Sequence, residues 1–120
     1  FYNSESLTRL YVDSTNLADF KLGNNIFTKA GSKAKLQVAF LEGVTKIPAN
    51  FLFSNASEEE SAVVSELVLP SSLTEVREAA FYDLSIESIW YIGKEENYKA
   101  VKVNDQNDSL AGVKFSIVIL

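Results

Sequence analysis

Ser32-Lys33-Ala34-Lys35 has the Ser-x-x-Lys spacing with which a lysine amine can take the proton of a serine nucleophile. The companion motifs of the enzymes that use this pair are missing, and so is their chain length, so a loop with two lysines is expected instead. Paired carboxylates could run glycoside hydrolysis. Here the acids gather as Glu58, Glu59 and Glu60 and as Glu95 and Glu96, in charge runs that read as solvated surface. Asp105-Gln106-Asn107-Asp108-Ser109 offers oxygen ligands of the kind calcium takes, but it lacks the glycine and distal glutamate of an EF-hand loop and reads as a turn. Ser57-Glu58-Glu59-Glu60 has the form of a capping box at a helix start. Asn55-Ala56-Ser57 and Asn107-Asp108-Ser109 are glycosylation sequons, which matter only in a eukaryotic secretory protein. The five glycines are isolated and form no phosphate-cradling loop.

Three absences narrow the chemistry further. The 120 residues include no His, Cys or Met. Without Cys there is no disulfide framework, thiolate nucleophile or Cys-based zinc site. Without His the usual general base near neutral pH and the commonest metal ligand are missing. No catalytic residue, cofactor or metal site is therefore expected, and the chain does not read as an enzyme. Without Met, Phe1 is not a translation start, and the chain reads as a piece of something longer. The net charge of −5 is uneven: residues 1–56 hold six basic and four acidic side chains, residues 57–120 five and twelve. Nucleic acid is not an expected partner, because phosphate binding needs clustered Lys and Arg. No run of about 18 apolar residues exists to insert in a membrane. A hydrophobic content of 47% is that of a chain with a core, and 120 residues suffice for one domain.

What must position any site is a repeat. Residues Val64, Leu67, Leu69, Leu73, Val76 and Phe81 form an apolar skeleton with Pro70 after its third member. Ile86, Ile89 and Tyr91 repeat the first three positions 22 residues later. Val38, Phe40, Val44, Ile47 and Leu52 match the last five positions 29 residues earlier. Leu7, Leu10 and Val12 match again near the start, followed by Leu17, Phe20 and Phe27 at looser spacing. Within a copy, Leu67 and Leu69 alternate with Glu66 and Val68, the period of a strand with one buried face. Pro70 ends the strand, and Leu73, Val76, Ala80 and Phe81 suit a tight helical turn or irregular loop on the same core. One copy cannot bury its own apolar edge, whereas stacked copies pair their strands in parallel. An ordinary α+β domain with look-alike strands is the competing reading.

The pattern Leu-x-x-Leu-x-Leu-Pro-x-x-Leu-x-x-Val-x-x-x-Ala-Phe at 64–81, with Val64 at its first position, resembles the BspA-like leucine-rich repeat family of bacterial and protist surface proteins. Val44 to Phe53 is similar to the latter half of a second copy. Ile89-Trp90-Tyr91-Ile92-Gly93-Lys94-Glu95-Glu96-Asn97-Tyr98 resembles the segment that closes such arrays, in which Gly-Thr-Glu precedes a Trp, and Asn107, Leu110 and an apolar strand at 113–119 continue the match. Lys94 stands for the Thr, Tyr98 for the Trp and Leu52 for a Phe, and the usual Cys after Ala-Phe is absent. The resemblance covers 35–118 well and 7–34 weakly. It implies an α/β leucine-rich-repeat-type solenoid with short parallel strands and short helical turns, a single domain over 1–120 with repeats at about 7–93 and a C-terminal cap at 94–120. It also implies a secreted or cell-surface setting and an adhesive role toward a protein or a glycan.

If positions 10/12, 38/40, 67/69 and 89/91 face the core, the residues between them face outward. Those are Tyr11, Ala39, Val68 and Trp90, with Arg9, Gln37, Glu66 and Ser88 in the neighbouring column. Tyr, Trp and Arg are enriched at the energetic centres of interfaces. Tyr11, Trp90, Val68, Arg9, Gln37 and Glu66 are therefore the candidate ligand-binding residues. A one-residue slip in phase would turn all of them inward. The alternative function is a structural spacer in a longer surface protein, with no ligand of its own.

Overall fold

In the strands at Lys35–Phe40 and Ser88–Ile92, and at 67–69 between them, buried residues alternate with exposed or half-buried ones and stay in phase from copy to copy, whereas the last strand has no buried residue. The computed structural model describes residues 6–13, 35–52, 63–82 and 84–119. The elements are β1 (Arg9–Val12), β2 (Lys35–Phe40), β3 (Lys46–Ile47), β4 (Val63–Pro70), β5 (Glu75–Val76), β6 (Ser85–Ile86), β7 (Ser88–Ile92), α1 (Glu95–Lys99), β8 (Lys102–Val103) and β9 (Lys114–Val118), with one 3-10 turn at Asp108–Leu110. The fold is α/β, with little helix and two parallel sheets. The larger runs β1-β2-β4-β7-β9, with β6 also on β4, and does not close on itself; the smaller runs β3-β5-β8.

Register follows the sequence repeat. Leu10 pairs with Val38, Val38 with Leu67, Leu67 with Ile89 and Ile89 with Phe115. The spacing of β2 to β4 changes between Leu36 and Gln37, where β4 carries one extra residue as a bulge. Val38, Leu67, Leu69, Ile89 and Tyr91 are all buried, as are Val44, Ile47, Leu73, Val76, Ala80 and Phe81 from the return segments, in one cluster. Phe40 anchors that cluster, with ring centroids 5.3 Å from Phe51 and 6.2 Å from Phe81. Rings offset at such distances add attraction beyond their buried area.

The return segments correct one expectation. A tight helical turn or irregular loop was expected at Leu73–Phe81; the segment is irregular with a two-residue strand in place of a helical turn, as at Val44–Leu52, and the backbone bonds from one copy to the next. Thr74 N–H donates to Thr45 C=O (2.7 Å), Arg77 N–H to Ile47 C=O (3.0 Å), Lys102 N–H to Thr74 C=O (3.0 Å) and Asn104 N–H to Val76 C=O (2.9 Å). β-Branched Ile47, Val76 and Val103 occupy equivalent places in these strands, where such side chains pack better than in a helix. Tight turns follow, and Asn50, Ala79 and Gln106, at the same place in successive copies, all adopt left-handed φ of 60°, 55° and 63°.

Segment 94–119 opens with a short helix and closes with a strand at Lys114–Val118, within the 113–119 expected for one. Glu95 and Glu96 lie in the first turn of α1 and Lys99 in its last, the arrangement the helix dipole favours. Tyr98 packs on Tyr91 (5.1 Å) and Phe115 (4.5 Å). Beyond α1, however, β8 extends the small sheet and β9 the large one, so the segment forms a further copy of the repeat in addition to covering the previous one. Its polar anchor is Asn107, only 6% exposed. The Asn107 side-chain amide donates to the carbonyls of Arg77 (2.9 Å) and Asn104 (3.0 Å) and accepts from Phe81 N–H (3.0 Å). A buried amide this fully bonded is closed to glycosylation in the folded chain. Asn55, the Ser32–Ala34 part of the Ser-x-x-Lys segment, Glu58–Glu60, and Leu17, Phe20 and Phe27 lie outside the described residues. No helix among the described residues is long and apolar enough to cross a membrane.

Candidate functional site: the outward sheet face and the cleft at its strand ends

Parallel pairing with in-phase alternation turns a sequence column into a physical stripe. Tyr11 pairs with Ala39, Ala39 with Val68, Val68 with Trp90 and Trp90 with Ser116. Neighbouring strands are about 4.8 Å apart, so Tyr11 and Trp90 stand about 14 Å from each other across the face. Tyr11 is 63% exposed and Trp90 36%, while Ala39 and Val68 between them are half-buried. The second column is paired in two parts, Arg9 with Gln37 and Gln37 with Glu66 on one side and Ser88 with Lys114 on the other. Arg9 and Lys114 are exposed; Gln37, Glu66 and Ser88 are half-buried. Ser88 Oγ donates to Ser65 C=O (2.7 Å), which spends its hydroxyl on the fold. All six sequence-derived candidates thus lie on one face of the large sheet. Lys35 and Glu87 form an exposed ion pair (2.9 Å) of the kind that contributes little to stability.

A third outward column was not singled out in the sequence. Pro70 pairs with Ile92 and Ile92 with Val118, and Leu41 directly follows β2. Of these, Leu41 is exposed, Ile92 and Val118 are half-buried and Pro70 is buried, and together they carry the apolar register toward the carboxyl ends of the strands. There a cleft of about 540 Å³ opens, with Leu41, Val68, Pro70, Ile92 and Ile119 among its walls. Glu42, Ser71, Lys94, Glu96 and Asn97 supply its polar groups. Ser71 Oγ donates to Glu42 Oε2 (2.9 Å), joining the loops after β2 and β4. Val68 belongs both to the predicted column and to the cleft. In open α/β sheets, ligands gather at the carboxyl ends of parallel strands. The cue within the sequence was the apolar residue at 41, 70 and 92, two positions beyond Ala39, Val68 and Trp90; Asp13, two beyond Tyr11, breaks it.

Behind the cleft the packing is tight. A Cβ on Gly93 would stand 2.8 Å from Tyr91 Cε2 and 3.1 Å from Ser71 Cβ, so only glycine admits the buried tyrosine ring there. Burial raises the Tyr91 pKa above the ordinary tyrosine value, and the Glu42 carboxylate adds to the shift. Burial alone raises that of Tyr98. On the opposite side, Glu75 is held below the usual carboxylate range, chiefly because Asn104 Nδ2 donates to it (3.0 Å), with Arg77 assisting. No group of three or more His, Cys, Asp or Glu that could hold a metal occurs among the described residues.

Comparison of the chain with protein-family models, with curated proteins and with solved structures returns no match.

Proposed function

We propose that this chain is a leucine-rich-repeat-type solenoid module, secreted or displayed on a cell surface, that binds a protein or glycan through the outward face of its large sheet. The observation that carries this reading is the stripe Tyr11–Ala39–Val68–Trp90. Four successive copies place it in register, two large aromatics are exposed on it, and an apolar cleft adjoins it. Exposed apolar patches mark interaction sites, and interface centres are enriched in aromatics. The solenoid reading draws its support from the 64–81 motif and from the parallel register at 10, 38, 67, 89 and 115.

The test is to screen the chain on an array of immobilised glycans and extracellular-matrix proteins, then to measure the ligand found with Tyr11→Ala/Trp90→Ala. Both side chains project outward, so the double variant should melt cooperatively near the parent temperature. Its affinity should fall at least tenfold. Unchanged affinity would remove the stripe from the binding role, and no ligand on any support would favour a spacer.

A further inference from the structure

We propose that the cleft at the carboxyl ends of β2, β4 and β7 receives a bulky apolar side chain from a protein ligand, with a Lys or Arg beside it meeting Glu42 and Glu96. This rests on reading the chain as a binding module, and it selects protein over glycan as the ligand class. The selection follows from the walls. Leu41, Val68, Pro70, Ile92 and Ile119 are aliphatic or ring-apolar and present no hydrogen-bond partner from their side chains. A sugar pressed there would leave hydroxyls without partners, at a cost that an apolar side chain does not incur. The volume of about 540 Å³ lies in the range of clefts that enclose a small ligand or a short stretch of chain.

Charge supplies the second half of the inference. Two carboxylates, Glu42 and Glu96, and one cation, Lys94, line the cleft. Beyond them, Glu95 and Lys99 lie 3.8 Å apart and largely offset each other. The surrounding half of the chain, 57–120, carries five basic and twelve acidic side chains. A cationic residue next to the apolar anchor therefore meets a favourable potential, and an acidic one meets repulsion. Ser71 Oγ donates to Glu42 at 2.9 Å, an exposed contact that favours one orientation of this carboxylate beside the cleft.

A random dodecapeptide phage library panned on the immobilised chain provides the test. Enriched peptides should share a Leu, Phe, Ile or Trp adjacent to Lys or Arg, and a synthetic copy should bind in fluorescence anisotropy. Leu41→Ser, at an exposed wall position, should weaken that peptide at least tenfold. Glu42→Gln/Glu96→Gln should weaken it about three- to tenfold and flatten its salt dependence. No enrichment above bare support, enrichment without the apolar–basic pair, or full affinity in both cleft variants would each overturn the inference. Tyr11→Ala/Trp90→Ala separates it from the broader reading. Loss in that variant alone leaves the face and removes the cleft; loss in the cleft variants alone does the reverse.

Discussion

Gly93 and Tyr91 show how one small residue can set the fit of a large one. The Tyr91 ring is fully buried between Gly93, Ser71 and Tyr98 and has nowhere to retreat. Gly93→Ala should therefore cost about 1–3 kcal/mol by overpacking, read as a lower urea midpoint with unchanged slope. The same tyrosine makes stability sensitive to alkali. Its pKa and that of Tyr98 are raised in the fold, so folded protein keeps protons that unfolded chain gives up above about pH 10. Stability should be intact below that point and fall as pH rises through the raised folded values. The Tyr91 hydroxyl is buried without a hydrogen-bond partner among the described residues. Tyr91→Phe should therefore match or exceed the parent at pH 7 and lose less between pH 10 and 11.5, measured by denaturant titration. The acid side has the opposite sign: the lowered Glu75 pKa contributes stability above the ordinary carboxylate range, and this is lost as pH falls through the folded value.

Elements in this fold are held by hydrogen bonds that cross from one copy to the next. Asn107 joins the turn 77–81 to the loop 104–109, and its amide occupies one buried N–H and two carbonyls. Asn107→Ala should cost at least about 1–3 kcal/mol, the penalty for leaving the Phe81 amide buried and unpaired, and calorimetry should show it as a drop in melting temperature. The strands of the large sheet were legible in the sequence, because alternation at 38–40, 67–69 and 89–91 leaves one buried face. The short strands of the small sheet were not. Two residues carry no readable period, and Ile47, Val76 and Val103 are fixed as strand by pairing with residues 27 to 29 positions away. The left-handed turn at 50, 79 and 106 was hidden for a related reason. Asn, Ala and Gln share no side-chain cue, and only the backbone repeats there. Asn107 was visible as a sequon, as a turn oxygen and as part of the closing-segment resemblance, but not as a buried anchor, since its burial depends on a carbonyl 30 residues upstream.

On the scale of the whole molecule, phase decides everything proposed for the surface. The core and the stripe are the two faces of one sheet, so fixing the first fixes the second. The six candidate residues could be placed from sequence because four copies had to agree on which side is apolar. The cleft could not, because it forms where the ends of β2, β4 and β7 meet α1 and Ile119, a junction of segments separated by up to 79 positions. The chain contains no cysteine, so every thiol introduced into it reports on one position alone. The most direct measurement is the rate of maleimide labelling of single-cysteine variants along β4 and β7 under native conditions. Glu66→Cys, Val68→Cys, Ser88→Cys and Trp90→Cys should label in the native state, Trp90→Cys fastest because its position is exposed and the other three more slowly because theirs are half-buried. Leu67→Cys, Leu69→Cys, Ile89→Cys and Tyr91→Cys should be protected until the fold is lost. Uniform labelling, or protection at 66, 68, 88 and 90 with reactivity between them, would contradict the register and the binding face built on it.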